Sequence, residues 1–131
     1  MKKEDIIIPV SSGELVDKIS ILKIKRRKIV NKSKLQNINK ELSLLNKIYK
    51  NNFQKNKKIL LYEKKLININ KKLWDIEDKI RFHESKKNFN QKFINLARAV
   101  YINNDERSEI KKKINKLTGS HLIEEKSYKS Y

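Results

Sequence analysis

The stretch from Ile59 to Ser85 constrains this chain more than any other. Its apolar seam, Ile59, Tyr62, Leu66, Ile69, Leu73, Ile76, Ile80 and then His83, advances in alternating steps of three and four residues. That spacing puts every member on one side of a helix and gives it a face that must be covered. A second stripe beside it, Leu60, Glu63, Ile67, Asn70, Trp74, Glu77, Arg81 and Glu84, begins apolar and ends charged. One helix thus carries a packing face and, at its C-terminal end, a polar cluster next to the core. At 131 residues the chain predicts a single domain, 1–131, with a modest core.

The remaining elements follow the same logic. Ile6 to Val10 reads as part of a short extended segment over 5–10, which Pro9 keeps from becoming helical. Ser11 and Glu14 make a capping box, so a first helix is expected over about 13–29. Its face is broad, with Val16, Ile21 and Ile24 widening the Leu15, Ile19, Leu22 and Ile29 stripe. Contact with more than one neighbour, or a dimer, would use such a face. Leu35, Ile38, Leu42, Leu45 and Tyr49 mark a second helix, and the polar stretch Lys50 to Lys58 marks a turn. An antiparallel, coiled-coil-like hairpin of helices two and three is expected there. Gln91 to Ile102 is apolar nearly all round and predicts a fourth, central helix. Asn103 and Asn104 read as the cap of a fifth helix that Gly119 closes. The last residues, from about 129, are expected to be loose. The expected fold is therefore all-α, a bundle of about five helices.

Charge needs care. The net charge is +18, but lysine, asparagine and isoleucine together supply 62 residues (28, 15 and 19), the amino acids that AT-rich codons encode. Arginine appears only five times, although its planar fork is what reads phosphates and bases bidentately. Nucleic-acid binding is accordingly the weaker alternative. Its best feature is a lysine rail, Lys58, Lys65, Lys72, Lys79 and Lys86, recurring every seventh residue; the bland reading is a solvated flank of a packed seam. Where lysine is abundant, each arginine marks a place where lysine does not serve. Arg81, Arg98 and Arg107 are such places, whereas Arg26 and Arg27 lie in a basic run.

No cysteine is present, and His83 and His121 sit in no metal-binding spacing. The three isoleucines before Pro9 are too short for a leader or a membrane span, so a cytoplasmic setting is expected. There is no glycine-rich phosphate loop, zinc spacing or nucleophile elbow, and the residues name no cofactor and no metal. What remains is a set of charges on helices: Glu77, Arg81 and Glu84 on helix three, Arg98 on helix four, and the corner Asn104, Asp105 and Arg107. Arg98 is the only charge between Phe93 and Ile102; buried there, its guanidinium requires a carboxylate, with Glu77, Glu84 and Asp17 as candidates. A buried ion-pair network that fixes helix register is the structural reading. The functional reading is a pocket whose arginines hold an anionic ligand, walled by Trp74 and reached by the Tyr101 hydroxyl. An enzyme using Glu77 or Glu84 as base is a further alternative.

Four blocks, IPVSSGELVDKISILKIK, LWDIEDKIR, FINLARAVYINNDERSEIKKKIN and GSHLIEEKSY, resemble in order those of a bacterial and viral family, the domain of unknown function numbered 6165. The resemblance spans nearly the whole chain. It implies no reaction; it suggests an accessory role linked to glycosyltransferases and cell-surface sugar metabolism. Its motif positions are Gly13, Glu14, Asp17, Lys18, Trp74, Glu77, Asp78, Arg81, Arg98, Tyr101, Asn104, Asp105, Arg107 and Glu124 to Tyr128, including Lys126. The expectation carried forward is a binding or accessory domain whose inter-helix cluster accepts an anionic small molecule or a partner chain.

Overall fold

The computed structural model describes residues 4–53 and 55–131. Residues 1–3 of the predicted domain and Gln54 of the predicted turn lie outside the described residues. Four helices form, α1 (Ser12–Lys28), α2 (Lys32–Phe53), α3 (Lys57–Ser85) and α4 (Gln91–Thr118), with no strand among the described residues. The all-α class holds, with four helices rather than five.

Local chemistry sets the helix ends. Ser11 Oγ accepts from the Glu14 backbone N–H at 3.1 Å, which starts α1. Asn56 and Asn90 cap α3 and α4 by accepting from the Ile59 and Phe93 N–H groups at 3.2 and 3.1 Å. Gly119 adopts the left-handed conformation (φ 67°) that ends α4. The predicted break at Asn103–Asn104 does not occur. Asn103 turns its side-chain amide back onto the Ala99 carbonyl at 2.8 Å, and the helix runs straight through.

The central helix is α1, not the fourth helix. α1 packs against α2, α3 and α4 alike, as its broad apolar face requires. Against α2 it buries Leu15, Ile19 and Leu22 on Ile38 and Leu42. On its other side Val16 joins Ile59, Leu66 and Ile69 of α3 and Ile110 and Ile114 of α4. Tyr49 and Phe53, ring to ring at 5.4 Å, touch both clusters and join them near the α2–α3 turn. The anticipated α2–α3 hairpin is replaced by an α3–α4 pair, the most extensive in the molecule. A heptad stripe states which face is buried and is silent about the partner, and here the α2 stripe is taken up by α1.

The expectation that Gln91–Ile102 lies at the centre is overturned for a reason of length. α1 ends at Lys28, level with Asp75, to which it pairs at 3.7 Å. α3 continues for ten residues past Asp75, about 15 Å at 1.5 Å per residue. Over that distance α3 and the first turns of α4 cover only each other. They form an arm on which Phe82, Phe89, Ile94 and Ile102 stay exposed.

Tyr49 also makes the bundle sensitive to alkali. Burial, with the Glu63 carboxylate beside it, pushes its hydroxyl up from 10.0 to about 12. The folded state then keeps this proton longer than the unfolded state does. The Tyr49 contribution to stability is fully present below about pH 10 and should be lost as pH rises toward 12. Urea midpoints measured across that range test this; a midpoint that is flat or rising would contradict it.

Candidate functional site

The centre of the site is Asp17, whose side chain is 1% exposed. It faces Arg107 of α4, which donates from Nη2 to Oδ2 at 2.8 Å and from Nε to Oδ1 at 3.1 Å. Asn70 of α3 donates from Nδ2 to Asp17 Oδ1 at 2.9 Å and to Ser20 Oγ at 2.8 Å. Arg107 Nη1 donates to Asn104 Oδ1 at 3.2 Å. One carboxylate therefore ties α1, α3 and α4 together. Burial would lower the Arg107 pKa, but the hydrogen bonds and charge of Asp17 more than offset it and the value is raised. The guanidinium is charged at any pH the protein meets.

Further along the same helix face, two more links join α1 to α4. Lys111, 7% exposed at its side chain, reaches Glu14 at 2.7 Å and Glu124 of the tail at 3.1 Å. Burial again pulls the ammonium down, and the hydrogen bonds to Glu14 and Glu124 hold it above its usual value. The Gly13 backbone N–H donates to Asn115 Oδ1 at 2.6 Å. Positions 107, 111 and 115 are one turn apart on α4 and meet 17, 14 and 13 on α1, so the two helices are laced antiparallel. Glu14 thus turns away from its expected return bond to Ser11 and onto Lys111. The tail crosses α4 beside these links, with Lys126 3.6 Å from Asp105 and the Tyr131 ring 4.9 Å from that of Tyr101.

Two open clefts flank Arg107. One, about 470 Å³, lies between α1, α3 and α4; its walls include Ile21, Ile24 and Trp74, with Glu77, Asp78, Arg81, Asn104 and Arg107 around it. The other, about 320 Å³, lies under the tail and is lined by Tyr101, Asp105, Lys111, Glu124, Lys126 and Tyr128, again with Asn104 and Arg107. Trp74, Glu77, Arg81, Tyr101, Asn104, Asp105, Arg107, Lys126 and Tyr128 line these two clefts. Glu14 and Asp17 line neither and hold Lys111 and Arg107 from behind, and three more lie apart. Lys18 is exposed and paired with Glu41 at 3.6 Å. Glu84 pairs with Lys87 at 3.0 Å, outside both clefts. Arg98 is exposed and, among the described residues, has no carboxylate partner. The three guanidiniums do not all meet: Arg81 and Arg107 share the larger cleft while Arg98 points away from it. The expectation of a buried, paired Arg98 fails because nothing reaches the arm to bury it. Arg81 contacts Glu77 one turn earlier on its own helix at 3.4 Å, with its side chain 80% exposed.

Sequence reasoning missed Ser20, Asn70, Lys111 and Asn115. Lys111 sits in a lysine run that reads as helix-end charge, and two of the others belong to the commonest residue types in the chain. The signal that was available is the four-residue spacing 107, 111, 115 facing the start of α1. Among the described residues no group of three or more His, Cys, Asp or Glu side chains is arranged to hold a metal ion. No helix of the described residues is long and apolar enough to cross a membrane.

Fold and site together define a class: a helical bundle locked by a buried carboxylate–guanidinium centre with an open cleft on either side. Within it, the chain belongs to the family of unknown function DUF6165, whose model matches residues 6–131. No curated protein and no solved structure matches it.

Proposed function

We propose that the protein is a binding or accessory domain, and that the cleft beneath Trp74 takes an anionic small molecule that also carries hydroxyl groups. The observation that supports this is the state of Arg107. Asp17 takes Nε–H and one N–H of Nη2, and Asn104 takes one N–H of Nη1. Of the five guanidinium donors, one on each terminal nitrogen has no protein acceptor among the described residues. The side chain is 28% exposed, so these donors are open to solvent at the junction of both clefts. The Asp17 pair fixes the fork in place before a ligand arrives, which reduces the ordering cost of binding.

Arg81 and Arg107 line the larger cleft with Glu77 and Asp78, and Asp17 stands behind Arg107. Two cations among three carboxylates suit a ligand with one anionic end better than a bare polyanion. The carboxylates and Asn70 accept or donate to hydroxyls, and the indole offers a flat apolar wall. Phosphorylated and nucleotide-linked sugars have this chemistry, in keeping with an accessory role in sugar metabolism.

Trp74 is the sole tryptophan, so its fluorescence reports on the cleft directly. Titration with a nucleoside-diphosphate sugar should give a saturable change that inorganic phosphate competes away. Arg81→Ala should weaken binding by about tenfold, the worth of a hydrogen bond to a charged group, with an unchanged urea midpoint because Arg81 is exposed. No saturable change with any phosphate-bearing sugar would refute the reading.

A further inference from the structure

We propose that the tip of the α3–α4 arm docks onto anionic lipid surfaces. No other helix among the described residues packs over the tip. There the rings of Phe82, His83, Phe89 and Phe93 gather around the α3–α4 turn, with centroids 6.3 Å (Phe82–His83), 6.2 Å (His83–Phe93) and 5.1 Å (Phe89–Phe93) apart. Phe82 is 61% exposed and Phe89 52%, with Ile94 beside them also exposed. Lys86 Nζ lies 5.9 Å from the centre of the Phe82 ring, so ammonium and aromatic surface are presented together.

Charge along the arm is segregated. Residues 79–92 carry five cations, Lys79, Arg81, Lys86, Lys87 and Lys92, against one carboxylate, Glu84, a net +4. The base of the arm, 73–78 with 93–102, carries Asp75, Glu77 and Asp78 against Arg98, a net −2. Within the arm the cations gather at the apex, although α3 also carries lysines nearer its start, at 57, 58, 64, 65, 71 and 72. The arm is thus polarised, and an anionic surface draws the tip in and repels the base.

An anionic bilayer satisfies both halves of this pattern. Aromatic side chains favour the headgroup level, and lysines within a Debye length of anionic lipids are attracted to them. The association is peripheral. A single-stranded nucleic acid would also meet lysines and aromatics, but it stacks bases on open, flat ring faces. Here the Phe82 and Phe89 rings stand edge-on to His83 and Phe93, at 86° and 68°, rather than as a row of parallel stacking platforms.

Vesicle flotation tests the proposal, using the whole chain with phosphatidylcholine alone and with phosphatidylcholine containing phosphatidylglycerol. The protein should float with the anionic vesicles only. Phe82→Ser with Phe89→Ser should lower partitioning at least tenfold at unchanged helix content. Lys86→Gln and Lys87→Gln should each lower it about five-fold, while Lys58→Gln with Lys65→Gln, on α3 far from the tip, should change it little. Equal losses from the tip and the distant lysine variants would mean diffuse charge attraction and overturn the proposal. So would a phenylalanine variant that binds as well as the parent, or capture of single-stranded oligonucleotides in the absence of vesicle binding.

Discussion

Asp17→Ala is expected to lower unfolding stability by about 3 kcal/mol, the lower end of the cost of breaking a buried ion pair from one side. The lower end applies because Arg107 keeps some access to water. The substitution strips Arg107 of its carboxylate, removes one acceptor from Asn70 and takes away part of the negative charge that sustains the buried Lys111. Against the roughly 5–15 kcal/mol that holds a domain of this size, such a loss is plain in a urea titration followed by helical circular dichroism. A change below about 1 kcal/mol would mean that the centre is dispensable. The paired replacement Asp17→Leu with Arg107→Met removes both charges at once and should recover most of the loss, since well-packed apolar pairs often match buried ionic ones. That variant is informative twice over. It should fold, and it should no longer give the Trp74 response to phosphorylated sugars, which separates the latch from the ligand site.

Gly13→Ala carries the second large effect, and its sign is the test. Helix propensity alone favours alanine over glycine by about 1 kcal/mol inside a helix. The packing of α1 on α4 says the opposite. A Cβ at position 13 would stand 2.5 Å from the Lys111 carbonyl oxygen and 3.0 Å from Asn115 Oδ1. Backbone cannot yield as a flexible side-chain end does, so α1 and α4 must part. That movement breaks the Gly13–Asn115 hydrogen bond and loosens the Glu14–Lys111 pair one turn away. Overpacking of this kind costs about 1–3 kcal/mol, and Gly13→Val should cost more than Gly13→Ala. A thermal midpoint that rises in Gly13→Ala would show that the close approach is not as described.

The sequence was legible where a few neighbouring residues decide the outcome. Ser11 announces the start of α1 and Gly119 the end of α4, because capping is a matter of one side chain or one positive φ. The breadth of the α1 face was equally visible, and it is the reason α1 has three partners. What a stripe cannot state is which other stripe it meets, and so the α2–α3 hairpin gave way to α3–α4. Arg98 shows the same limit from another side. Its apolar neighbours imply burial, but burial depends on the reach of α1, which is a property of the assembled helices. Asp17 and Arg107 were both marked as site residues, but 90 positions separate them and nothing local pairs them. Asn70, Lys111 and Asn115 were hidden by abundance, since asparagine and lysine are everywhere in this chain.

The sharing of α1 between two apolar clusters has a consequence for how the molecule comes apart. Neither cluster can be lost while the other survives intact, because each would leave α1 half bare, and Tyr49 with Phe53 clamps the pair at one end. Melting should therefore be one concerted event for residues from Ser11 to Leu73 and from Asn104 to Thr118. The outer turns of α3 and α4, which rely only on one another, should exchange their amide hydrogens well before that event.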